Sequence, residues 1–183
     1  MSTLAIRRCA VACPAALTIL LTLAAAPAPA PAAARCAGAT AGPASLGGAA
    51  RQAALVCEIN RARRHHGLAS VSTHARLTRM AGGFARTMVA RRFFSHVGPG
   101  GATLSARRRA AGYRGHSLGE VLAWGEGRYA SPRAAVRSWL HSPPHRRVLL
   151  GRNYHDVGVG IALGSPFGGS MRTSATYAAN FGA

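Results

Sequence analysis

The stretch Asp156-Val157-Gly158-Val159-Gly160-Ile161-Ala162-Leu163 alternates branched apolar residues with glycine and alanine. A Gly/Pro-rich stretch at 164–169 follows, then a second run over 170–181. Alternation of period two on one side of a turn predicts a β-hairpin. One face of the first strand carries Val157, Val159 and Ile161. The other face carries almost no side chain, which lets a second element, expected to be a helix, pack against the strand at backbone distance.

The residues before the hairpin read mostly as helices. Ala50 to Arg64 lacks Gly and Pro, with Leu55, Ile59 and Ala62 at helical spacing and Gly67 as the C-terminal stop. Ser72 or Thr73 is the expected cap of a second helix ending near Arg91, whose Leu77, Met80, Phe84 and Met88 form one apolar stripe. A short Arg-rich helix is expected over 103–111, and the segment 112–127 is rich in Gly and apolar residues. Ser131-Pro132 starts a helix that Ser142-Pro143-Pro144 breaks, with one further turn over 145–150. Three to four helices around a small, late sheet make an α+β arrangement.

Composition bounds the function. The 183 residues carry 23 basic side chains, all Arg, against 4 acids, for a net charge of +19. Hydrophobic residues at 49% argue against a disordered polycation, and the length suits one domain. So basic a surface favours anionic partners. Aromatic residues at 6% are too scarce to favour nucleic acid, which is disfavoured further by the N-terminus.

Arg7 and Arg8 precede an apolar stretch from Val11 to Ala26 and an Ala/Pro run ending in Ala32-Ala33-Ala34. This is the layout of a secretory signal peptide over residues 1–34; the alternative is a retained N-terminal anchor. The stretch is short for a membrane span, and no span is expected in the mature chain. Cleavage would remove Cys9 and Cys13 and leave Cys36 and Cys57. In an exported chain that pair reads as one disulfide, tying a flexible arm (35–48) to the first helix; two free cysteines are the other option. The pair lacks the neighbours of a zinc motif.

Chemistry concentrates in few residues. The sequence contains no HExxH, GxSxG or phosphate-binding glycine loop. His96 and His145, two of the eight His, sit beside helix-breaking Gly or Pro. Glu120 is flanked by apolar residues in Leu118-Gly119-Glu120-Val121-Leu122. A carboxylate buried there needs a cation, a His or backbone N–H donors. Imidazole with carboxylate is the minimum for general acid/base work or for a divalent metal. The arginine clusters Arg61-Arg63-Arg64, Arg91-Arg92 and Arg107-Arg108-Arg109 read either as solvated faces or as contacts to an anionic surface. Trp124 and Trp139 are expected in the core.

Seven pieces follow one another in order: Phe93-Phe94-Ser95-His96, Gly112-Tyr113, Gly119-Glu120, Ala135-Val136 with Trp139, Ser142-Pro143-Pro144-His145-Arg146, Val157-Gly158-Val159-Gly160 and Asn180-Phe181-Gly182. That order resembles the bacterial branch of the CAP superfamily (cysteine-rich secretory, antigen 5 and pathogenesis-related 1 proteins), whose domain is also called SCP. Cys57-Glu58-Ile59-Asn60-Arg61-Ala62-Arg63 is similar to the family's first helix, and the resemblance covers residues 53–183.

The resemblance implies a three-layer α–β–α sandwich with a small antiparallel sheet between helices, here spanning residues 49–183. It also implies a cleft lined by two His and two acids that sometimes holds zinc. His96 matches the first His, Glu120 the acid of a Gly-Glu-Asn motif, and His145 is the candidate second His. The second acid position falls on Ser142, and Val121 stands where Asn is usual, so at most a His-Glu-His site remains.

The expected function is that of a secreted, monomeric binding module for lipid, sterol or cell-envelope polymer, extracellular or held at the envelope. It would act through a cleft of His96, Glu120, His145 and Ser142 and a basic surface. The alternative is a weak hydrolase or metal-dependent peptidase with His96, Glu120 and His145 as catalytic candidates. The same three would be the ligands of a divalent metal such as zinc.

Overall fold

The computed structural model describes residues 35–183; the signal-peptide expectation for 1–34 lies outside them. Helix α1 spans Gly48–His65, α2 Ala75–Arg91, α3 Leu104–Ala111, α4 Pro132–His141 and α5 Pro143–Leu149. Strands β1 (Ser72–Thr73), β2 (Leu118–Glu126), β3 (Asp156–Leu163) and β4 (Ser174–Gly182) form one sheet in the order β1-β3-β4-β2. β4 is antiparallel to both its neighbours, with Gly158 and Glu120 each opposite Asn180. On one side of the sheet, α1, α4 and α5 close a core of Leu55, Ile59, Val136, Trp139 and Leu149 over Val121, Val157, Tyr177 and Phe181. On the other side α2 lays Ala81, Phe84, Ala85 and Met88 against Leu122, Ala162 and Ala178. The α–β–α sandwich is therefore present.

The bare face of β3 explains the second layer. A Cβ at Gly158 would lie 2.0 Å from the carbonyl carbon of Leu77 and 2.2 Å from the amide nitrogen of Thr78. At Gly160 it would lie 2.2 Å from the carbonyl carbon of Ala81. The α2 backbone thus sits directly on the strand, as the glycine alternation predicts, with small residues Ala81 and Gly82 at the crossing.

Three details depart from the sequence reading. Ser72 and Thr73 do not cap α2; they form β1, parallel to β3, and His74 caps the helix by accepting the Arg76 N–H at its Nδ1, 3.2 Å. The sheet is consequently mixed rather than purely antiparallel. The Gly-rich segment after Gly112 contains the longest contact of the sheet, β2, paired along its whole length with β4.

Cys36 and Cys57 are joined by a disulfide, with Cα atoms 5.6 Å apart. Part of the 35–48 segment, expected as a flexible arm, is packed, while Ala44, Ser45, Gly47 and Gly48 are exposed. Cys36, Ala39 and Pro43 are buried, the Ala39 carbonyl accepts the Arg133 N–H at 2.8 Å, and the Arg51 guanidinium donates to the Pro43 carbonyl. Arg63 ties the opposite end of α1 to the loop before β3. Its guanidinium is buried and donates to the carbonyls of Ala69 (2.9 Å), Leu149 (2.9 Å), Gly151 (3.0 Å) and Tyr154 (3.2 Å). Four carbonyl acceptors satisfy a cation that has no carboxylate partner.

The α2–β3 contact yields a paired prediction. Gly160→Ala forces two backbones apart and lowers stability in urea unfolding by about 3 kcal/mol or more. Gly83→Ala, on α2 itself but with nothing within 4 Å of the added Cβ, is neutral or stabilising by about 0.5–1 kcal/mol. Similar costs for the two substitutions would contradict this packing.

Candidate functional site

The site grows from β2 and two loops. Along β2, Leu122 joins the core under α2 while Val121 and Ala123 join the opposite one, so Glu120 shares the α2 face of the sheet with Leu122. Its side chain is 1% exposed. The chain leaves α2 through Arg92, which holds a left-handed conformation (φ 51°), and Phe93 packs edge-on against Phe84 with ring centroids 5.9 Å apart. That turn returns the 94–103 loop over the edge of β2 and delivers His96. The Pro143–Pro144 start of α5 supplies His145 from the other side.

Two of the expected residues are hydrogen-bonded to each other, and the third adjoins them. His96 Nδ1 lies 2.9 Å from Glu120 Oε1, and the His145 ring centroid is 6.0 Å from that of His96. Because an ionised carboxylate only accepts, Nδ1 carries the proton, and in the neutral ring Nε2 is left as an acceptor. The His96 side chain is half-exposed, so this nitrogen belongs to a surface that a ligand can reach. His145 is partly buried, and desolvation holds its pKa below the ordinary 6.5, with the nearby His96 lowering it further. Ser142 joins α4 to α5 through its backbone and makes no side-chain cap bond.

The residue that sequence reasoning overlooked is Arg107. Its Nη2 donates to both Glu120 oxygens, at 2.8 and 2.7 Å. Nη1 donates to the carbonyls of His96 (2.9 Å) and Ala102 (2.8 Å), and the guanidinium lies 3.5 Å above the centre of the Phe84 ring. Arg107 therefore fixes the carboxylate and the His96 backbone together. In sequence it is one of three consecutive arginines, Arg107-Arg108-Arg109, that read as a solvated face or as a contact to an anionic surface. The available signal was the requirement that a carboxylate flanked by Leu118 and Leu122 find a cation.

This arrangement bears on the metal-ligand expectation for His96, His145 and Glu120. Both Glu120 oxygens are held by a guanidinium, and the nearer His96 nitrogen is committed to the same carboxylate. Among the described residues no group of three or more His, Cys, Asp or Glu side chains is placed to hold a metal ion. The donor set does not fit zinc, which takes three or four protein ligands with free lone pairs. Trp124 is a correction: it is 42% exposed, whereas Trp139 is buried with its Nε1–H donating to the Leu122 carbonyl at 2.9 Å.

The depressed pKa of His145 fixes the sign of a pH effect. A folded-state value below the unfolded one means that the unfolded chain binds the proton more readily. The stability contributed by neutral His145 is complete above pH 6.5 and falls as the pH drops from 6.5 toward the folded pKa. NMR titration of the His145 ring should give a midpoint below 6.5 that moves up in His96→Ala. A midpoint at or above 6.5 in the wild type would contradict the packing of His145.

Comparison with known proteins agrees with the geometry. The sequence model described as "CAP: Cysteine-rich secretory protein family" matches residues 56–177. An "Uncharacterized membrane protein YlbC" of Bacillus subtilis (strain 168) is 32% identical over 96 residues, which are 52% of this chain and 27% of the relative. This chain thus spans about a quarter of that curated relative's length. Among solved structures, an extracellular protein containing an SCP domain from Bacillus anthracis superposes with a TM-score of 0.62 at 24% identity, over 74% of this chain and 41% of that one. An outer surface protein of Borrelia burgdorferi superposes with a TM-score of 0.58 at 22% identity, over 70% of this chain and 88% of its own. At such identities the superpositions speak for the fold alone. The family match, covering well over half of a chain with this fold, makes the protein a member of the CAP, or cysteine-rich secretory protein, family.

Proposed function

We propose that this CAP-domain chain is an exported binding module that attaches to an anionic component of the cell envelope, a lipid, sterol-containing or polymeric surface, through its arginines. In this reading the His96–Glu120–His145 cleft is a polar recognition site beside that surface. The observation that carries it is the fate of the acids. Two of the 23 Arg lie in residues 1–34, so residues 35–183 hold 21 Arg against 4 acids, a formal charge of +17. All four acids are engaged inside the domain. Glu58 meets Arg61 and Arg133, Glu120 meets Arg107, Asp156 accepts from the Tyr113 hydroxyl at 2.8 Å, and Glu126 accepts from the Thr173 hydroxyl at 3.0 Å. Among the described residues, no other arginine has a carboxylate within salt-bridge distance.

The names of the relatives, one extracellular, one of an outer surface and one a membrane protein, support an envelope location. No helix among the described residues is long and apolar enough to cross a membrane, so attachment by this domain would be peripheral. The hydrolase or peptidase alternative has less support. Glu120 is held by Arg107, and the Ser95 hydroxyl accepts the Val97 N–H at 3.1 Å. No activated nucleophile is in evidence among the described residues.

Sedimentation with anionic vesicles and with isolated cell walls across a salt series tests the reading. Binding should be strong at low salt and fall steadily toward 1 M, where the Debye length is about 3 Å. Failure to bind either surface at low salt, or binding indifferent to salt, would sink it.

A further inference from the structure

The large apolar side chains left exposed on this domain are not scattered. Four of the five lie at one end of the sheet: Trp124 is 42% exposed, Tyr129 62%, Phe167 65% and Met171 62%, with Val97 the exception. The pairing register explains the clustering. Gly125 and Leu163 both face Ala175, and Glu126 faces Ser174, so β2, β3 and β4 end at one level. Phe167 and Met171 occupy the β3–β4 turn, while Tyr129 sits in the 127–130 turn that follows β2. Phe167 touches Trp124 edge-on with ring centroids 5.3 Å apart and lies 6.5 Å from the Phe94 ring, which joins these three into one aromatic patch.

Arginines belong to the same segments. Arg172 follows Met171 directly. Arg128 lies over the Tyr129 ring at 4.9 Å and donates to its hydroxyl at 2.8 Å. The C-terminal end of α2 reaches the same turn, since a Cβ at Gly164 would lie 3.0 Å from Val89 and 3.6 Å from Met171. Arg91 and Arg92 follow Val89 and are exposed. The one acid at this end, Glu126, is occupied by the Thr173 hydroxyl. Exposed aromatic and thioether side chains at an end of the domain that also carries guanidinium groups match the boundary of an anionic bilayer. There aromatic rings settle at headgroup depth, and basic residues are attracted to the lipid phosphates. A soluble anionic polymer would use the charges but would leave Phe167 and Met171 without an apolar environment.

We propose that the 124–129 and 164–172 end of the sheet is a membrane-docking tip, which inserts Phe167, Met171 and Trp124 into the headgroup region of an anionic lipid bilayer while Arg91, Arg92, Arg128 and Arg172 engage lipid phosphates. This rests on the reading of the domain as an anion-surface binder and names the surface and its partner. The tip also sets orientation. Trp124 lies four residues along β2 from Glu120 on the same face of the strand, about 13 Å away. A docked domain would therefore hold the His96–Glu120–His145 cleft close to the membrane plane.

Tryptophan fluorescence reads the docking directly. The chain has 2 Trp, at positions 124 and 139, so residues 1–34 contribute no signal, and Trp139 is fully buried. Protein purified as exported from cells expressing the full chain is mixed with phosphatidylglycerol vesicles, with phosphatidylcholine vesicles, and with phosphatidylglycerol vesicles bearing brominated acyl chains. Docking predicts a blue shift and bromine quenching of Trp124 on phosphatidylglycerol, both absent in Trp124→Phe. The double variant Phe167→Ser/Met171→Ser should keep its melting temperature, because both side chains are mostly exposed, yet bind on the order of tenfold more weakly. Arg128→Gln/Arg172→Gln should narrow the preference for phosphatidylglycerol over phosphatidylcholine. Salt-sensitive vesicle binding with neither shift nor quenching, or unchanged by the Phe167/Met171 variant, would overturn the tip and leave the charged-surface reading intact. Binding to cell walls but not to vesicles would also overturn it, in favour of a polymer. Binding to neither would overturn both.

Discussion

The contact on which the rest of this domain depends is the seating of α2 on the glycine face of β3. At Gly158 and Gly160 the helix backbone approaches so closely that a single methyl group on the strand would overlap it. Such an approach removes any freedom in the height or azimuth of α2 above the sheet. The consequences run outward from there. The stripe of Leu77, Phe84 and Met88 is buried without choice of register. The helix ends beside the β3–β4 turn, and the chain leaving it through Arg92 has to cross the edge of the sheet at β2. His96 is placed by that crossing, and Arg107 by the short helix that returns from it. The site is thus a by-product of how two backbones meet some residues away.

Magnitudes indicate what the Arg107–Glu120 pair is for. At 2.7 Å the gross attraction is roughly 6 kcal/mol with an effective dielectric of 20. Withdrawing each ion from water costs several kcal/mol, so the net contribution to stability is small. The geometric effect is larger. One guanidinium holds both carboxylate oxygens, the His96 carbonyl and the Ala102 carbonyl, and it is itself stacked on Phe84. Glu120 in turn fixes the proton of His96 on Nδ1. The chain pairs the buried carboxylate with a cation of its own, and that cation is wired to the loop it positions.

Much of this was legible in the sequence, for reasons that differ by element. The β3 alternation and the α2 stripe are local patterns with a direct physical meaning, and both describe the structure. The ends of α4 are written in Ser131-Pro132 and Ser142-Pro143, where capping and proline act within a few residues. β1 could not be read, because two residues become a strand only when β3 lies beside them. β2 was hidden because Gly119 to Ala123 is buried on both faces, so no alternation marks it. Trp124 looked like core by residue type, but its place near the end of β2 leaves it beside Phe167 at the surface. His96, Glu120 and His145 were legible through motif order. Arg107 was not, because three consecutive arginines look alike in sequence and only the turn of α3 separates the one that faces inward.

The central claim is that an arginine, rather than a metal ion, completes the His–Glu site. Equilibrium dialysis of the purified protein against micromolar zinc tests it most directly, with Arg107→Met and His96→Ala measured alongside. The account predicts no stoichiometric zinc on the wild-type chain and a gain of zinc in Arg107→Met, where the carboxylate is released. One zinc per wild-type chain, lost in His96→Ala, would contradict it.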